Sequence, residues 1–252
     1  MHDLGTYPNA FGHNDGQDEP MVSVLMIEDC TTSSALTLLL LEPLQPVEES
    51  GNMLIMVLHW AQLVGKAKAV PYLKERYSIL AQWVSFLIED SLIPASQLST
   101  DDFAGEYTSV LKSHRGRSLL TYQCFTFTGT ASNQTNLAIK GIIGIGAMGK
   151  IAELVGQDKD AAIYKNISQS YISAWHFLAL DAQKTHTKLV YQQDDSWGTL
   201  YNLFSDRLLN LNLVPKSIYD VQSSWLPQVA AEYGVPLDSR VSASPNCAPA
   251  SP

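Results

Sequence analysis

Acidic pairs are the residues of this 252-residue chain best suited to chemistry: Glu48-Glu49, Asp101-Asp102 and Asp194-Asp195. One carboxylate can take a proton from water while a second acid gives one to a leaving group. Glu48 and Glu49 lie in Pro46-Val47-Glu48-Glu49-Ser50-Gly51-Asn52, just ahead of an apolar run from Asn52 to Val64. That run predicts a helix buried on most sides. Free N–H groups and the dipole at its N-terminus favour acids there. Glu48 and Glu49 point in different directions, so they are not expected to form a close dyad. Asn52 is placed to orient a substrate amide; simple helix capping is its other reading. Asp101 and Asp102 follow Ser99-Thr100, a grouping equally at home in a turn or cap. Asp194 and Asp195 stand beside Trp197, whose ring can wall a pocket and raise an acid's pKa by desolvation. The alternative there is a core tryptophan with solvated acids. Lys140 is a candidate cation for a substrate, although a solvated helix lysine is commoner. His13 and Asp15 belong to a polar segment, residues 2–20, that can bind substrate or simply turn the chain. It has no H-x-x-x-H or H-x-E spacing, so neither a metal nor a cofactor is predicted.

These residues need elements to hold them, and the dominant period is helical. Leu73, Tyr77, Leu80, Val84 and Leu87 recur at three- and four-residue steps after Pro71. Asn136 to Leu154 predicts a third helix; Ile163, Ile167, Tyr171, Ala174 and Leu178 mark a fourth; Thr199 to Leu209 reads as a fifth. Lys216 to Gly234 adds one or two more, interrupted by Pro227. Lys188 to Gln192 is a short strand candidate. Helices joined by polar loops predict antiparallel pairs and an all-α fold. Gly144-Ile145-Gly146-Ala147-Met148-Gly149 matches G-x-G-x-x-G only formally. No strand-to-helix turn accompanies it, so its small residues are read as allowing close helix packing. No Gly-x-Ser-x-Gly nucleophile motif occurs.

Bulk properties narrow the partners. A net charge of −9 argues against nucleic acid. The longest apolar run, around Leu38–Leu41, is too short to span a bilayer. The first residues have neither the basic nor the apolar stretch of a signal peptide. Three cysteines give no disulfide framework. Two N-glycosylation sequons, Asn133-Gln134-Thr135 and Asn166-Ile167-Ser168, weakly favour a secretory route.

The segment Pro46–Met56, together with Ser99-Thr100-Asp101-Asp102-Phe103-Ala104-Gly105, Asn136–Ile145 and Asp194–Asn202, resembles the helical region of the fungal secreted glutaminase A family. The resemblance implies a six-hairpin, glycosidase-like (α/α) toroid whose loops at one end carry the site. It implies hydrolysis of L-glutamine, a small-molecule substrate, to L-glutamate and ammonia. The catalytic acids would come from Glu48, Glu49, Asp101, Asp102, Asp194 and Asp195. Asn52, Lys140, Trp197, His13 and Asp15 would bind substrate. Residues 1–240 would form a partial toroid without the family's β-rich N-terminal region. Three stretches depart from the family pattern: Val22–Gln45, Glu106–Ala131 and the tail Val241–Pro252, expected to be disordered. They hold all three cysteines and can be encoded with splice-donor starts at Val22, Gly105 and Val241. Translated introns are therefore expected there, with tolerated loop insertions as the alternative. Lying beside the acids, they are expected to leave the chain with little activity. A six-hairpin glycoside hydrolase, or a non-catalytic product of a misread gene, is the alternative function.

Overall fold

The computed structural model describes residues 46–95, 99–100, 131–232 and 234–240. His13, Asp15, Asp101, Asp102, and the stretches 22–45, 106–130 and 241–252 lie outside the described residues. The six α-helices among the described residues are α1 (Pro46–Val64), α2 (Lys66–Asp90), α3 (Thr135–Val155), α4 (Asp158–Ala179), α5 (Leu203–Leu208) and α6 (Lys216–Trp225). A 3-10 turn, Leu226–Gln228, follows α6. No strand forms among them. The expected strand at Lys188–Gln192 reduces to isolated bridges, Gln134 with Val190 and Leu180 with Thr187. The fold is all-α, as the periodicity predicts. No helix among the described residues is long and apolar enough to cross a membrane.

Helix α1 starts at Pro46, not at the apolar run beginning with Asn52. Proline's fixed φ and missing N–H suit a first turn, and the two glutamates there complement the dipole. Glu48 and Glu49 thus lie inside the first turn and not ahead of the helix. Asn52 is a mid-helix residue, which removes the capping reading. Helix α2 likewise begins before Pro71, which sits inside it. Gly65, at φ 79°, is the whole connection between α1 and α2. Such a short link forces an antiparallel hairpin, and a left-handed φ favours glycine.

Helix α3 is the inner element. Seventeen of its 21 residues are buried, including the run Leu137 to Ile145, so it is enclosed by neighbours on nearly every side. It packs against α1, α2, α4 and α5. Gly156, at φ 83°, closes it, and the Gln157 N–H donates to the Ala152 carbonyl at 2.9 Å, a Schellman-type stop. Helix α4 then folds back along α3. Its buried stripe is Ala161, Ser168, Ile172, Trp175 and Ala179. Trp175 Nε1 donates to the Thr135 carbonyl at 3.0 Å, and the Tyr171 hydroxyl donates to the Ile88 carbonyl at 2.7 Å. Two hairpins, α1–α2 and α3–α4, therefore lie side by side, as expected for an arc of an (α/α) toroid.

The fifth helix is shorter than the expected Thr199–Leu209. Thr199 N–H donates to the Leu237 carbonyl at 2.8 Å, and Gly198 bridges Asp238, committing this segment to loop pairing. At the other end the buried Asp206 carboxylate accepts the Leu213 N–H at 2.9 Å and the Tyr219 hydroxyl at 2.8 Å, folding the chain back.

The G-x-G-x-x-G run lies in the middle of α3, where its glycines serve contact. A Cβ built on Gly144 would stand 2.8 Å from Leu87 Cδ1 and 3.1 Å from Gly51 Cα. At Gly146 the nearest atom, Leu213 Cδ2, would be 3.4 Å away, an ordinary contact. Gly144→Ala is expected to destabilise by about 1–3 kcal/mol through overpacking, beyond what helix propensity returns. Gly146→Ala is expected to be neutral or stabilising by up to about 1 kcal/mol. Urea denaturation midpoints of the two variants test this; equal shifts in the same direction would refute the close-packing role.

Candidate functional site

Helix α1 begins, α2 stops, α3 begins and α4 stops at one end of the bundle, and the polar groups gather there. Glu48 is only 4% exposed. Its Oε2 accepts the Thr100 N–H at 2.7 Å and its Oε1 accepts the Thr100 hydroxyl at 2.7 Å. The neighbouring Ser99 hydroxyl donates to Oε1 of buried Gln134 at 2.7 Å. Gln134 precedes α3 and bridges Val190, while Thr135 N–H donates to the Leu189 carbonyl at 2.9 Å. A continuous chain of bonds thus links the first turn of α1, the segment at 99–100, the start of α3 and the 187–198 loop.

One turn along α1 from Glu48, Asn52 Oδ1 accepts a hydrogen bond from Lys140 Nζ at 2.5 Å. Lys140 is 9% exposed, so it is not the solvated helix lysine that is statistically commoner. Gly51 makes this possible: a Cβ there would stand 2.9 Å from Lys140 Cγ. The lysine stem lies across the bare backbone of α1 and delivers its ammonium to the polar end. Glu49 is half-buried beside these groups. Nearby, the buried hydroxyls of Ser50, Ser91 and Thr135 have no hydrogen-bond partner among the described residues, an arrangement that costs free energy unless something polar meets them.

Asp194 and Asp195 are exposed, at the same end. Asp194 Oδ1 accepts from Lys188 Nζ at 3.2 Å. Trp197 is buried and meets Trp225 edge-on, ring centroids 6.5 Å apart. This is the arrangement of a core tryptophan with solvated acids, and it replaces the expectation that Trp197 desolvates the pair. The structure therefore brings Glu48, Asn52 and Lys140 together, with Glu49 adjacent, and holds the Asp194-Asp195 loop at the same rim without burying its acids. An open cleft lined by Leu58, Gln62, Lys66, Lys150, Glu153 and Leu154 lies at the opposite end and shares none of these residues. Among the described residues no group of three or more His, Cys, Asp or Glu could hold a metal ion.

The sequence reading missed Asp181, which organises the loop carrying Asp194 to Trp197. Its carboxylate accepts the N–H groups of Gln183 (3.1 Å), Thr185 (2.7 Å) and His186 (2.9 Å), and the Thr185 hydroxyl (3.0 Å). His186 in turn stacks on Trp225, centroids 4.4 Å apart. Burial pushes the Asp181 carboxyl up, but the His186 N–H, the Thr185 hydroxyl, the His186 charge and the Thr185 N–H together hold it below the usual carboxylate range. The available signal was local: an aspartate just past a helix, followed two to five residues on by donors, is an Asx-turn pattern.

These features define an α-helical hairpin protein with a polar site at its loop end. A family model for the glutaminase A six helical-hairpin domain matches residues 1–111 and 120–246. Glutaminase A of Aspergillus oryzae is 43% identical over 243 residues, covering 95% of this chain and 28% of that protein. A protein of Arthroderma benhamiae named as a probable glutaminase is 31% identical over an alignment of 301 residues, covering 95% of this chain and 32% of that protein. The chain belongs to the glutaminase A six helical-hairpin family. It spans about three tenths of the length of these curated relatives.

Asp181→Asn is expected to destabilise at pH 7 by about 1–3 kcal/mol, the cost of loosening buried hydrogen bonds to a charged acceptor. A carboxyl held low in the folded state stabilises above its unfolded pKa, near 3.9, and loses that contribution as pH falls through the folded value. The wild-type advantage should therefore shrink below about pH 4. Denaturation midpoints of both proteins across pH 3–7 test it; a pH-independent gap would remove the charge from the explanation.

Proposed function

We propose that this chain forms part of an enzyme that hydrolyses L-glutamine to L-glutamate and ammonia, with its helical loop end as the site. The observation that carries the reading is the constellation of buried Glu48, half-buried Asn52 and buried Lys140 at that end, in a chain whose relatives carry glutaminase names. Lys140 supplies a cation for the substrate's carboxylate, and Asn52 turns an amide toward it. Both Glu48 oxygens are engaged by Thr100, which suits holding the segment that leads to Asp101-Asp102. Glu49 is then the base of this pair. It takes a proton from water, the water oxygen attacks the side-chain amide carbon, and the C–N bond breaks as a second acid protonates the departing ammonia. Asp101, Asp102, Asp194 and Asp195 are the candidates for that acid; His13, Asp15 and Trp197 complete the substrate surroundings.

In this reading residues 1–240 are one helical domain, interrupted at 22–45 and 106–131, with 241–252 as a tail. The protein acts outside the cell, as the sequons favour. The interruptions flank the proposed acids, where a displacement of about an ångström costs on the order of a hundredfold in rate.

Ammonia release from L-glutamine and reducing-sugar release from glycans, measured side by side, test the proposal. Slow ammonia release is expected, on the order of a hundredfold below an intact relative, with no sugar release. L-Glutamine should also raise the melting temperature, and Lys140→Met should abolish that rise while the unliganded variant still melts cooperatively. Sugar release without ammonia would replace the proposal with a glycoside hydrolase. Turnover equal to an intact relative would show that the interruptions are harmless.

A further inference from the structure

The fold treats the two sequons oppositely. Asn133 is half-buried with φ 62°. Its N–H donates to the Pro94 carbonyl at 2.8 Å, and its carbonyl accepts the Tyr191 N–H at 3.1 Å. The next two residues, Gln134 and Thr135, are 1% and 0% exposed and bonded to Ser99 and Leu189. This whole sequon is clamped between the segment leaving α2 and the 187–198 loop. Asn166 sits in the middle of α4, on the face turned away from α3. Lys165, Asn166, Gln169 and Ser170 are all exposed there, and Ile163, one turn earlier, is 52% exposed. Ser168 turns inward, its hydroxyl donating to the Lys165 carbonyl at 3.0 Å.

We infer that Asn166 is an N-glycosylation site of this chain and that Asn133 is unmodified in the folded protein. The donor is an oligosaccharide carried on a lipid diphosphate. Asn166 Nδ2 bonds to the sugar C1, the C1–O bond to the diphosphate breaks with the electron pair leaving on the diphosphate, and the amide gives up one proton. A glycan at Asn166 projects from the outer face of α4 and shades Ile163 without displacing any bond described above. A glycan at Asn133 stands in the junction that Pro94, Tyr191 and Ser99 close. Chains carrying one cannot complete that junction and do not appear among folded molecules. Sequence alone ranks the sites the other way, because threonine in the third position makes the better acceptor.

The test is the full chain expressed behind a secretion leader in yeast, so that the result does not depend on the native route. Deglycosylation by an amidase in heavy-oxygen water converts each glycosylated asparagine to labelled aspartate, which peptide mass mapping reads. The label is expected at position 166 and not at 133. Intact protein should lose the mass of a single glycan, Asn166→Gln should have none to lose, and folded Asn133→Gln should still lose the mass of one. If the chain is retained inside cells, the same map of the lumenal fraction reads position 166. Label at Asn133 in soluble, protease-resistant protein, or an unlabelled Asn166 in any lumenal protein, would overturn the inference.

Discussion

Everything in this structure depends on how closely α3 approaches α1 and α2. Gly51, Gly141 and Gly144 let the backbones meet: a Cβ on Gly141 would come within 2.6 Å of Ser91 Cβ, and one on Gly144 within 3.1 Å of Gly51 Cα. At ordinary helix separations the Leu87 and Val47 side chains would no longer fill the gap between α3 and its neighbours, and buried voids are costly. The same approach brings the start of α1 to the start of α3, so core packing and site geometry share one contact. Lys140 makes the link concrete. Its stem needs the bare backbone of Gly51, and its ammonium ends at Asn52.

Polar burial follows a consistent rule at the loop end. Each buried carboxylate there is met by several donors: Glu48 by Thr100, Asp181 by Gln183, Thr185 and His186. Such carboxylates fix loops, because the loop N–H groups have few other partners. The acids left in water, Asp194 and Asp195, ride on a loop fixed this way. In the proposed site, rigid holding of a segment by buried acids, with wet acids presented at its surface, would separate positioning from reactivity.

The helices were legible because their apolar periods are long. Asn136 to Leu154 differs from the observed α3 by one residue at each end. Failures came where local chemistry overrode the period. Pro46, Glu48 and Glu49 are better N-terminal residues than the apolar run shows, so α1 starts earlier than hydrophobicity implies. Thr199 to Asn202 carry helical spacing, but the Thr199 N–H goes to the Leu237 carbonyl, the Leu200 N–H to the Gln222 side chain and the Asn202 N–H to the Asn136 side chain, pairings no local pattern announces. At the site, acid at the N-terminus of α1 was readable from the dipole argument. The burial of Lys140 was not, since it depends on a glycine in another helix 89 positions away (51 to 140). Trp197 faces Trp225 and not the neighbouring aspartates for the same reason: which side a loop tryptophan takes is decided by distant chain.

The connections between helices are unequally distributed. Gly65 alone joins α1 to α2, and Gly156 and Gln157 alone join α3 to α4, both at the end away from the polar cluster. The long connections, 91–134 and 180–202, both leave and re-enter the helices at the other end. Sequence change in length is therefore channelled to one rim. An insertion at Gly65 or Gly156 would break a hairpin, whereas a segment added between α2 and α3 alters what the site meets and leaves the helical frame intact. Within this architecture, diversification of what is recognised and preservation of the scaffold are assigned to opposite ends of the same four helices.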